Sequence, residues 1–403
     1  MRCVALAVLA AIAVALAGCG SAPSTRVTSS TLSIYTSLPL RGDRAAQSRA
    51  ILRGEKLALN EVGSQIGGKT IGFSVLDDAG PKATGWTPEQ AAKNAKTAAT
   101  NPTTIAYIGD VDSGATAVSL PLTNEAGMLQ VSPLSGYTGL TRASDKGEPA
   151  KYYPSQERTF ARLTPNGIVE ARALVSWLRV IGAERVAIVA DEHQDGQGTV
   201  RDLSVALAKD RLDVVDDVRI SQRKEDVSKP VRELAALHPQ AVIYAGASPD
   251  AAARLLRAAH AELPNAKLIA TSAAAQGSLA KLLGSAAPAV HVMSPILPPN
   301  AGNAEARRVA RAYRRLFGEA PPAAAFYGYE AMRSVLQAIA DAGTRSGDRK
   351  VVIAKYFDGR RRDSVLGSYE IGRQGDTTLD EYGLYGVSGH ELTLEATLRG
   401  GPG

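Results

Sequence analysis

Residues 104–131 read TIAYIGDVDSGATAVSLPLTNEAGMLQV, and this stretch predicts the fold class. Ile105–Ile108 and Met128–Val131 are short apolar runs of the kind that form strands buried on both faces of a sheet. Gly114–Ala126 lies between them and has the length of a connecting helix. Two strands joined by one helix form the unit from which parallel sheets with helical layers are built.

The alternation of strands and helices runs along most of the chain. It begins with strands at Leu32–Thr36 and Thr70–Leu76 and helices at Ala50–Asn60 and Pro88–Ala99. Beyond the Pro-, Gly- and charge-rich stretch Ala143–Glu157 it starts again. The predicted elements there are Ile168–Ile181, Arg185–Ala190, Gly198–Ala208, Asp213–Ile220, Val227–Leu237, Ala241–Ala245, Ala251–Ala261 and Lys267–Thr271. The sequence therefore predicts two α/β units of similar size.

The N-terminal segment has the pattern of an export signal. Arg2 precedes an apolar run from Val4 to Ala17, which is too short for a typical transmembrane helix. The run ends in Leu16-Ala17-Gly18-Cys19, and small residues before a cysteine are typical of the lipobox of bacterial lipoproteins. We expect a signal peptide over residues 1–18 and lipidation of Cys19, which anchors the protein to the outer face of the cell membrane.

An ordinary signal peptide followed by an incidental cysteine is the alternative. Both interpretations predict that the mature protein works outside the cytoplasm. Cys3 and Cys19 are the only cysteines of the sequence, so a chain cut before Cys19 has no thiols for a disulfide or a cysteine metal site within the folded body.

Charge and motifs narrow the function further. The net charge is +6, but the basic residues lack the interleaved aromatic residues of nucleic-acid-binding surfaces. Basic clusters at residues 307–315 and 360–362 are expected on solvated surfaces, or else at a contact with anionic lipid or a membrane partner. The sequence has no GxSxG elbow, no GxxxxGK[ST] loop and no histidine pair at metal-ligand spacing. We predict no catalytic residues, no metal and no cofactor, and Asp77-Asp78 is expected to cap a turn.

Two loops that follow predicted strands are the best candidates for a binding site, since ligands of open α/β sheets bind beyond the carboxyl ends of the strands. In Gly109–Gly114, Ser113 stands at a helix start, where free N–H groups and a hydroxyl suit a carboxylate. A purely structural cap is the alternative. Ser132–Tyr137 offers a hydroxyl, backbone groups and an aromatic ring, or forms a tight turn around Pro133 and Gly136.

Several short motifs in a fixed order carry a resemblance to a known family. They are Leu38-Pro39-Leu40-Arg41-Gly42, Gly54…Ala58…Asn60, Gly109-(3)-Ser113, Pro121…Asn124-Glu125-Ala126-Gly127, Ser132-Pro133…Gly139-Leu140-Thr141, Tyr153-Pro154…Arg158-Thr159-Phe160-Ala161-Arg162, Asp191…Gly196-Gln197-Gly198, Tyr244-Ala245-Gly246 and Tyr327-Gly328-Tyr329-Glu330-Ala331. In this order and spacing, residues 32–388 resemble the branched-chain amino acid (Leu/Ile/Val) binding proteins of ABC transporters, which are type I periplasmic binding proteins.

The resemblance implies an α/β fold of two doubly wound, Rossmann-like lobes, joined by three crossovers and closing on a ligand between them. The composition of residues 19–31 adds a flexible tether before the first lobe. The expected boundaries are a signal peptide at 1–18, the tether at 19–31, lobe 1 at 32–155 and 297–375, lobe 2 at 156–296, and a lobe 2 return with the C-terminal tail at 376–403.

The resemblance also implies which residues bind the ligand. It puts an amino acid carboxylate on the loop of Ser113 and on the turn at 133–136, where the family often has threonine and this chain has Gly136. Tyr329 matches an aromatic residue near the ligand side chain, and Asp195 falls where many relatives cover the ligand from the second lobe. The predicted ligand-binding residues are Asp112, Ser113, Leu134, Ser135, Gly136, Tyr137, Asp195 and Tyr329.

One departure from the family concerns the ligand ammonium. Amino-acid-binding members have an acidic residue just after the strand that corresponds to Lys267–Thr271, whereas this chain reads Ser272-Ala273-Ala274-Ala275. A buried ammonium without a partner is costly, so Asp195 or Asp112 supplies the charge, or the ligand is not an ordinary α-amino acid. Asp110 and Asp112 suit a cationic or neutral polar group, or else only complement the helix dipole.

The predicted function is that of a monomeric solute-binding lipoprotein, not an enzyme, which captures a small polar, amino-acid-like ligand and delivers it to an ABC permease. A sensory receptor on the same fold, signalling to a membrane partner, is one alternative. The other is an extracytoplasmic enzyme that uses Asp112 and Asp195 as an acid/base pair across the cleft.

Overall fold

The computed structural model describes residues 25–81, 85–191, 194–221 and 226–401, and it contains two large β-sheets covered by helices and a small two-stranded sheet. Of Gln194 and Asp195 only the backbone is described. The predicted signal peptide and Cys19 lie outside the described residues.

The first sheet is built by strands within residues 31–162. Its strands are β1 Thr31–Leu38, β2 Gln65–Ile66, β3 Lys69–Asp77, β4 Thr104–Ile108, β5 Leu129–Ser132 and β6 Phe160–Arg162, in the spatial order β2-β3-β1-β4-β5-β6. All pairs are parallel except the short hairpin of β2 and β3. The helices are α1 Ala45–Val62, α2 Pro88–Thr100 and α3 Ser113–Glu125, so the strand–helix–strand unit predicted within residues 104–131 is confirmed.

The next part of the chain builds a second, parallel sheet. Its strands are β7 Arg185–Ala190, β8 Asp213–Arg219, β9 Ala241–Tyr244, β10 Lys267–Ala270 and β11 Val290–Ser294. Its helices are α4 Gly167–Val180, α5 Gln194–Lys209, α6 Ser228–Ala236, α7 Pro249–Glu262 and α8 Leu279–Leu282. The restart of the alternation after residue 168 is thereby confirmed.

The chain then returns to the first sheet and ends in the second. The returning elements are the helices α9 Ala304–Phe317, α10 Ala323–Ala342 and α11 Arg349–Tyr356, and the strands β12 Arg362–Ser364 and β13 Gly367–Tyr369, which pair with each other in a separate hairpin. The strands β14 Glu381–Ser388 and β15 Glu391–Arg399 then extend the second sheet to the order β15-β14-β11-β10-β9-β7-β8. We call the first sheet with its helices lobe 1 and the second sheet with its helices lobe 2; each combines separate parts of the chain.

Close packing of α10 on α1 joins the returning part of lobe 1 to the rest. Gly54 of α1 and Gly328 of α10 lie at the helix crossing, where a Cβ on either residue would overlap the backbone of the other helix. Ile51 and Met332 are fully buried in the apolar core around this crossing. In lobe 2, apolar cores cover both faces of the sheet. None of the helices within the described residues combines the length and hydrophobicity needed to cross a bilayer.

Three crossovers connect the lobes, as the resemblance implies, and they lie between β6 and α4, between β11 and α9, and between β13 and β14. The predicted boundary at residue 155 is too early, because Phe160–Arg162 pairs with β5 in the first sheet. At the third crossover, Asp376 binds Thr141 and Arg162 of lobe 1 and therefore belongs with that lobe. Sequence composition placed the first boundary in an irregular stretch, whereas strand pairing continues past it.

The flexible tether predicted for residues 19–31 is wrong for its described part. Val27 is buried and donates its N–H to the Gly347 carbonyl at 2.7 Å, and the Thr25 carbonyl accepts the Arg349 N–H at 2.9 Å. Arg26 forms an ion pair with Asp348 at 3.5 Å. The polar composition suggested flexibility, but one buried valine and paired backbone groups fix this segment to lobe 1.

Candidate functional site

A cavity of about 160 Å³ lies between the two lobes. Its walls come from the loops and helix starts that follow strands of both sheets, which is where open α/β sheets bind ligands. A cavity of this volume holds one molecule about as large as benzene. The space therefore suits a single small solute.

Ser113 and the turn after β5 form one part of the lobe 1 wall. The Ser113 Oγ accepts the backbone N–H of Tyr137 at 3.1 Å and so ties the start of α3 to this turn. Gly136 and Thr138 line the cavity beside them. Since the first N–H groups of a helix have no acceptor within the helix, the start of α3 offers donors to an anionic group in the cavity.

Apolar side chains cover another part of the wall. The ring of Trp86 lies against the start of α3, where a Cβ on Gly114 would overlap it. Leu134 and Ile296 add aliphatic surface to the cavity. Few polar groups among apolar walls are typical of small-molecule sites, because the polar groups orient a ligand whose apolar part is buried.

Asp112 lines the cavity as an ion pair. Its Oδ1 lies 2.7 Å from Nε of Arg44, which precedes α1 and in turn donates to Gln47. Both side chains of the pair are largely buried, and Arg44 and Gln47 line the cavity too. Arg44 balances the charge of Asp112, so this carboxylate does not repel an anion at the start of α3 as an isolated carboxylate would. The ion pair with Arg44 also disfavours the alternative in which Asp112 is the acid or base of an enzyme.

Lobe 2 contributes a buried glutamate to the opposite wall. Glu170 of α4 accepts the backbone N–H of Ser272 with one carboxylate oxygen and the Ser272 hydroxyl with the other, at 2.6 Å each. Both residues line the cavity. Burial, against the lowering by the two hydrogen bonds from Ser272 and with a smaller contribution from the nearby Asp202 carboxylate, raises the pKa of the Glu170 carboxyl to about 7.

Asp202 of α5 is the second carboxylate of this wall. It accepts the Thr138 hydroxyl at 2.6 Å, and this bond connects lobe 2 to lobe 1. Burial raises the pKa of Asp202 to about 6. A cationic group placed between Glu170 and Asp202 stabilises the ionised form of both, because a nearby opposite charge favours the carboxylate over the neutral acid.

The lobes touch on both sides of the cavity. On one side the Tyr137 ring lies against Gly198 of α5, where a Cβ would overlap it, and Arg201 donates to the Tyr137 hydroxyl at 3.1 Å. On another side Ser278 donates to Asp43 at 3.1 Å. The lobes thus adopt a closed arrangement around the cavity.

Two of the predicted ligand-binding residues lie away from the cavity, and for them the prediction is corrected. The Ser135 hydroxyl is buried and bonded to Thr116 at 2.6 Å and to the Asp110 carbonyl at 3.0 Å, so it turns into lobe 1. Tyr329 packs in the core of lobe 1, and its hydroxyl is bonded to Glu61 and Arg308 at 2.6 and 2.7 Å. The resemblance placed Tyr329 near the ligand side chain, but its own side chain faces α1 and α9.

Asp110 and Asp77 have structural roles, and the side chain of Asp195 is outside the described residues. Asp110 is fully buried, and its carboxylate accepts the Tyr107 hydroxyl at 3.0 Å. Asp77 accepts the backbone N–H groups of Leu40 and Ala79 at 3.0 and 2.9 Å, which confirms the predicted turn. The backbone of Asp195 lies in the first turn of α5.

Sequence reasoning did not find Arg44, Trp86, Glu170 or Asp202. Glu170 and Asp202 each lie within a helix, whereas the predicted site consists mainly of residues in loops that follow strands. One signal was available for Glu170, because it stands in the first turn of α4 among apolar residues that the core of lobe 2 buries. A carboxylate at an otherwise apolar helix face indicates a buried partner.

The fold and the cavity define a two-lobed solute-binding protein. The family model described as "Periplasmic binding protein" matches residues 34–388, and the chain belongs to this family. It is a binding protein of a non-enzymatic family, and the family works outside the cytoplasm.

Three individual relatives illustrate the similarity. The Leu/Ile/Val/Thr-binding protein of Salmonella typhimurium is 25% identical over 284 residues, which cover 69% of this chain and 71% of that protein. The structure of the leucine binding protein LivK of Thermotoga maritima superposes with a TM-score of 0.76 at 21% identity, covering 91% of this chain and 99% of LivK. A solute binding protein of R. palustris in complex with benzoate gives 0.72 at 19% identity, covering 92% and 97%.

Proposed function

We propose that this protein is an extracytoplasmic receptor that captures an amino acid with an apolar side chain and delivers it unchanged to an ABC permease. The observation that carries the proposal is the pair of carboxylates, Glu170 and Asp202, opposite the helix start at Ser113 in one small cavity. An α-amino acid needs such an arrangement, with a negative site for its ammonium and hydrogen-bond donors for its carboxylate.

The ammonium binds between Glu170 and Asp202. A buried ammonium requires a charged partner, and these two side chains are the carboxylates that lobe 2 brings to the described cavity wall. Relatives that bind amino acids have an acidic residue after the strand that corresponds to β10, where this chain has Ser272-Ala273-Ala274-Ala275. Glu170 supplies the negative charge from α4 instead. Asp202 also holds Thr138 of lobe 1, so the ammonium strengthens a contact that exists only when the lobes are closed.

The ligand carboxylate binds at the start of α3. The N–H groups of the first helical turn and the Ser113 hydroxyl offer hydrogen-bond donors at this end of the cavity, and Arg44 neutralises the nearby Asp112 carboxylate. The ligand side chain then lies among Trp86, Leu134 and Ile296. The similarity to the Leu/Ile/Val/Thr-binding protein of Salmonella and the leucine binding protein of Thermotoga supports a ligand of this kind.

Delivery to a permease and the lipid anchor complete the proposal. The lipobox-like Leu16-Ala17-Gly18-Cys19 supports anchoring through Cys19 to the outer face of the membrane. Hinge closure of two lobes converts binding into a change of shape that a permease can recognise.

A thermal-shift series of matched compounds tests the proposed ligand chemistry. The series comprises L-leucine, 4-methylpentanoate without the amino group, 3-methylbutylamine without the carboxylate, and benzoate. A ligand of the folded state present at a hundredfold excess over Kd raises the melting temperature of a protein of this size by about 3 °C. We expect the shift with L-leucine or another apolar amino acid and not with the two truncated compounds. A shift with benzoate alone contradicts the proposal and indicates an aromatic acid.

A further inference from the structure

We propose that the end of lobe 1 opposite the ligand cavity faces the membrane and contacts anionic lipid headgroups. We call it the docking end. It consists of residues 25–30, the β2–β3 hairpin, residues 343–350 and the loops before β4 and β5. This orientation rests on the lipid anchor at Cys19 proposed above. It places lobe 1 next to the membrane and the ligand cavity farther from it.

The N-terminal segment is fixed to the docking end by contacts on both sides of Val27. Val27 is buried, donates to the Gly347 carbonyl, and leaves no room for a side chain at Gly347. Thr25 accepts the Arg349 N–H, and Lys69 donates to the Ser29 carbonyl at 2.6 Å. Residues 25–30 are therefore part of the folded lobe.

This attachment limits how far lobe 1 can stand from its anchor. Six residue steps separate Cys19 from Thr25. A chain of this length spans at most about 20 Å even when it is fully extended. The predicted tether of residues 19–31 allowed about twice that distance, so the fixed segment changes the geometry of the anchored protein.

The docking end lies at the amino ends of the parallel strands, whereas the cavity lies at their carboxyl ends. The Arg349 side chain donates to the carbonyls of Thr104 at 2.8 Å and Ala126 at 2.9 Å. Thr104 is the first residue of β4, and Ala126 lies in the loop before β5. The eight residues of β1 span about 25 Å between the two ends. The ligand site is therefore held on the far side of lobe 1 from the anchor.

The charge of the docking end fits an anionic surface. Its basic side chains are Arg26, Lys69, Arg345, Arg349 and Lys350; Arg26, Arg345 and Lys350 are exposed, whereas Arg349 is buried. Acidic Asp348 pairs with Arg26, and Glu125 lies at the end of α3 nearby. Basic residues next to a membrane anchor are attracted to anionic lipids within about one Debye length of the surface.

Energy transfer on vesicles tests the proposal, because the lipidated Cys19 leaves no thiol for a dye in the mature chain. Lys350→Cys places a single dye at the docking end, and Glu184→Cys places one at the amino end of the lobe 2 strands, where Glu184 is exposed. Each lipidated protein is reconstituted into phosphatidylglycerol–phosphatidylcholine vesicles that carry an acceptor dye on the headgroups. We expect transfer that is several-fold stronger from position 350 than from position 184.

A matched variant controls for the length of the connection. Inserting twenty Gly and Ser residues between Ala22 and Pro23 adds about 25 Å of mean reach, so transfer from position 350 should fall. Pure phosphatidylcholine vesicles should also reduce it. Equal transfer from both positions, or no response to anionic lipid, overturns the proposal and leaves the anchor intact. Protein that fails to float with the vesicles overturns the anchor itself, while the thermal-shift series still reports ligand binding.

Discussion

Ser272 holds both carboxylate oxygens of Glu170, one through its backbone N–H and the other through its hydroxyl, at 2.6 Å each. These bonds join the loop after β10 to α4, although the two residues are 102 positions apart in the chain. In place of the acidic residue expected after this strand, the chain has a serine that orients a carboxylate from a neighbouring helix. The negative charge is thus present in the cavity although its expected sequence position lacks it.

Glu170→Gln is predicted to weaken binding of the amino acid ligand by about tenfold to a hundredfold, because a hydrogen bond to a charged group contributes about 1.5–3 kcal/mol. The amide keeps the shape of the side chain and an oxygen for Ser272, so the fold is retained. Titration calorimetry measures the affinity. Glu233→Gln on the exposed face of α6 is the matched control and leaves it unchanged. Equal affinities of both variants and the wild type contradict the proposed ammonium site.

Thr138→Val is predicted to destabilise the closed state. It removes the hydroxyl that donates to Asp202 across the cleft while it preserves the shape of the side chain. We expect ligand affinity to fall about tenfold, mainly through faster dissociation, because this bond exists only between closed lobes. Stopped-flow release of ligand measures the rate. Thr97→Val, on the exposed side of α2, serves as the control; a dissociation rate equal to that of the control argues against closure through this contact.

Ser113→Ala is predicted to weaken ligand binding with only a small effect on folding. The hydroxyl accepts the Tyr137 N–H, so its loss costs about 1 kcal/mol of folding free energy and removes one donor from the proposed carboxylate site. Calorimetry and urea unfolding measure the two effects separately. Unchanged affinity together with reduced stability would mean that Ser113 is only a structural bridge between α3 and the turn after β5.

Acidification is predicted to have opposite effects on the stability of the free protein and on its affinity. Burial raises the pKa of Glu170 to about 7, of Asp202 to about 6 and of Glu55 to about 8, whereas such groups titrate near pH 4 in an unfolded chain. Between pH 8 and 5 the folded state therefore binds more protons than the unfolded state, and its stability rises as the pH falls.

Ligand affinity should fall over the same range of pH, because protonation of Glu170 and Asp202 removes the charges that hold an ammonium. Urea unfolding without ligand and calorimetry with ligand, each at pH 8, 7, 6 and 5, measure the two trends. Glu170→Gln should flatten the pH dependence of the affinity, because one of the two titrating carboxyls is then missing. An affinity of the wild type that rises towards pH 5 contradicts the ammonium site.

Tyr329→Phe is predicted to leave ligand affinity unchanged while lowering stability. The hydroxyl is bonded to Glu61 and Arg308 at the back of lobe 1, so its removal breaks a polar network far from the cavity. We expect a loss of about 1 kcal/mol in urea unfolding. A clear loss of affinity would instead support the sequence-based placement of Tyr329 in the binding site.

The fold could be predicted from the sequence because its signals are local. The apolar runs at Ile105–Ile108 and Ala241–Tyr244 become strands buried on both faces, and helical spacing marks the elements between such strands. The lobe boundary near residue 155 could not be read in the same way. Whether Phe160–Arg162 joins the first or the second sheet depends on strand pairing between distant segments, which composition does not encode.

The candidate site was only partly predictable, since its residues meet through the tertiary fold. Ser113 and the turn at Gly136 follow strands and were found from that position. Glu170 and Asp202 reach the cavity from helices, and only the packing of α4 and α5 against the neighbouring loops brings them there. Tyr329 shows the converse, because the resemblance placed it near the ligand, whereas its side chain packs in lobe 1 and its hydroxyl is bonded to Glu61 and Arg308.

A crystal structure of the protein with the amino acid that gives the largest thermal shift tests the account most directly. We predict the ligand nitrogen within about 2.7–3.2 Å of carboxylate oxygens of Glu170 and Asp202, and the ligand carboxylate at the start of α3 beside Ser113. A ligand bound in the reverse orientation, or outside the cavity between the lobes, would contradict it.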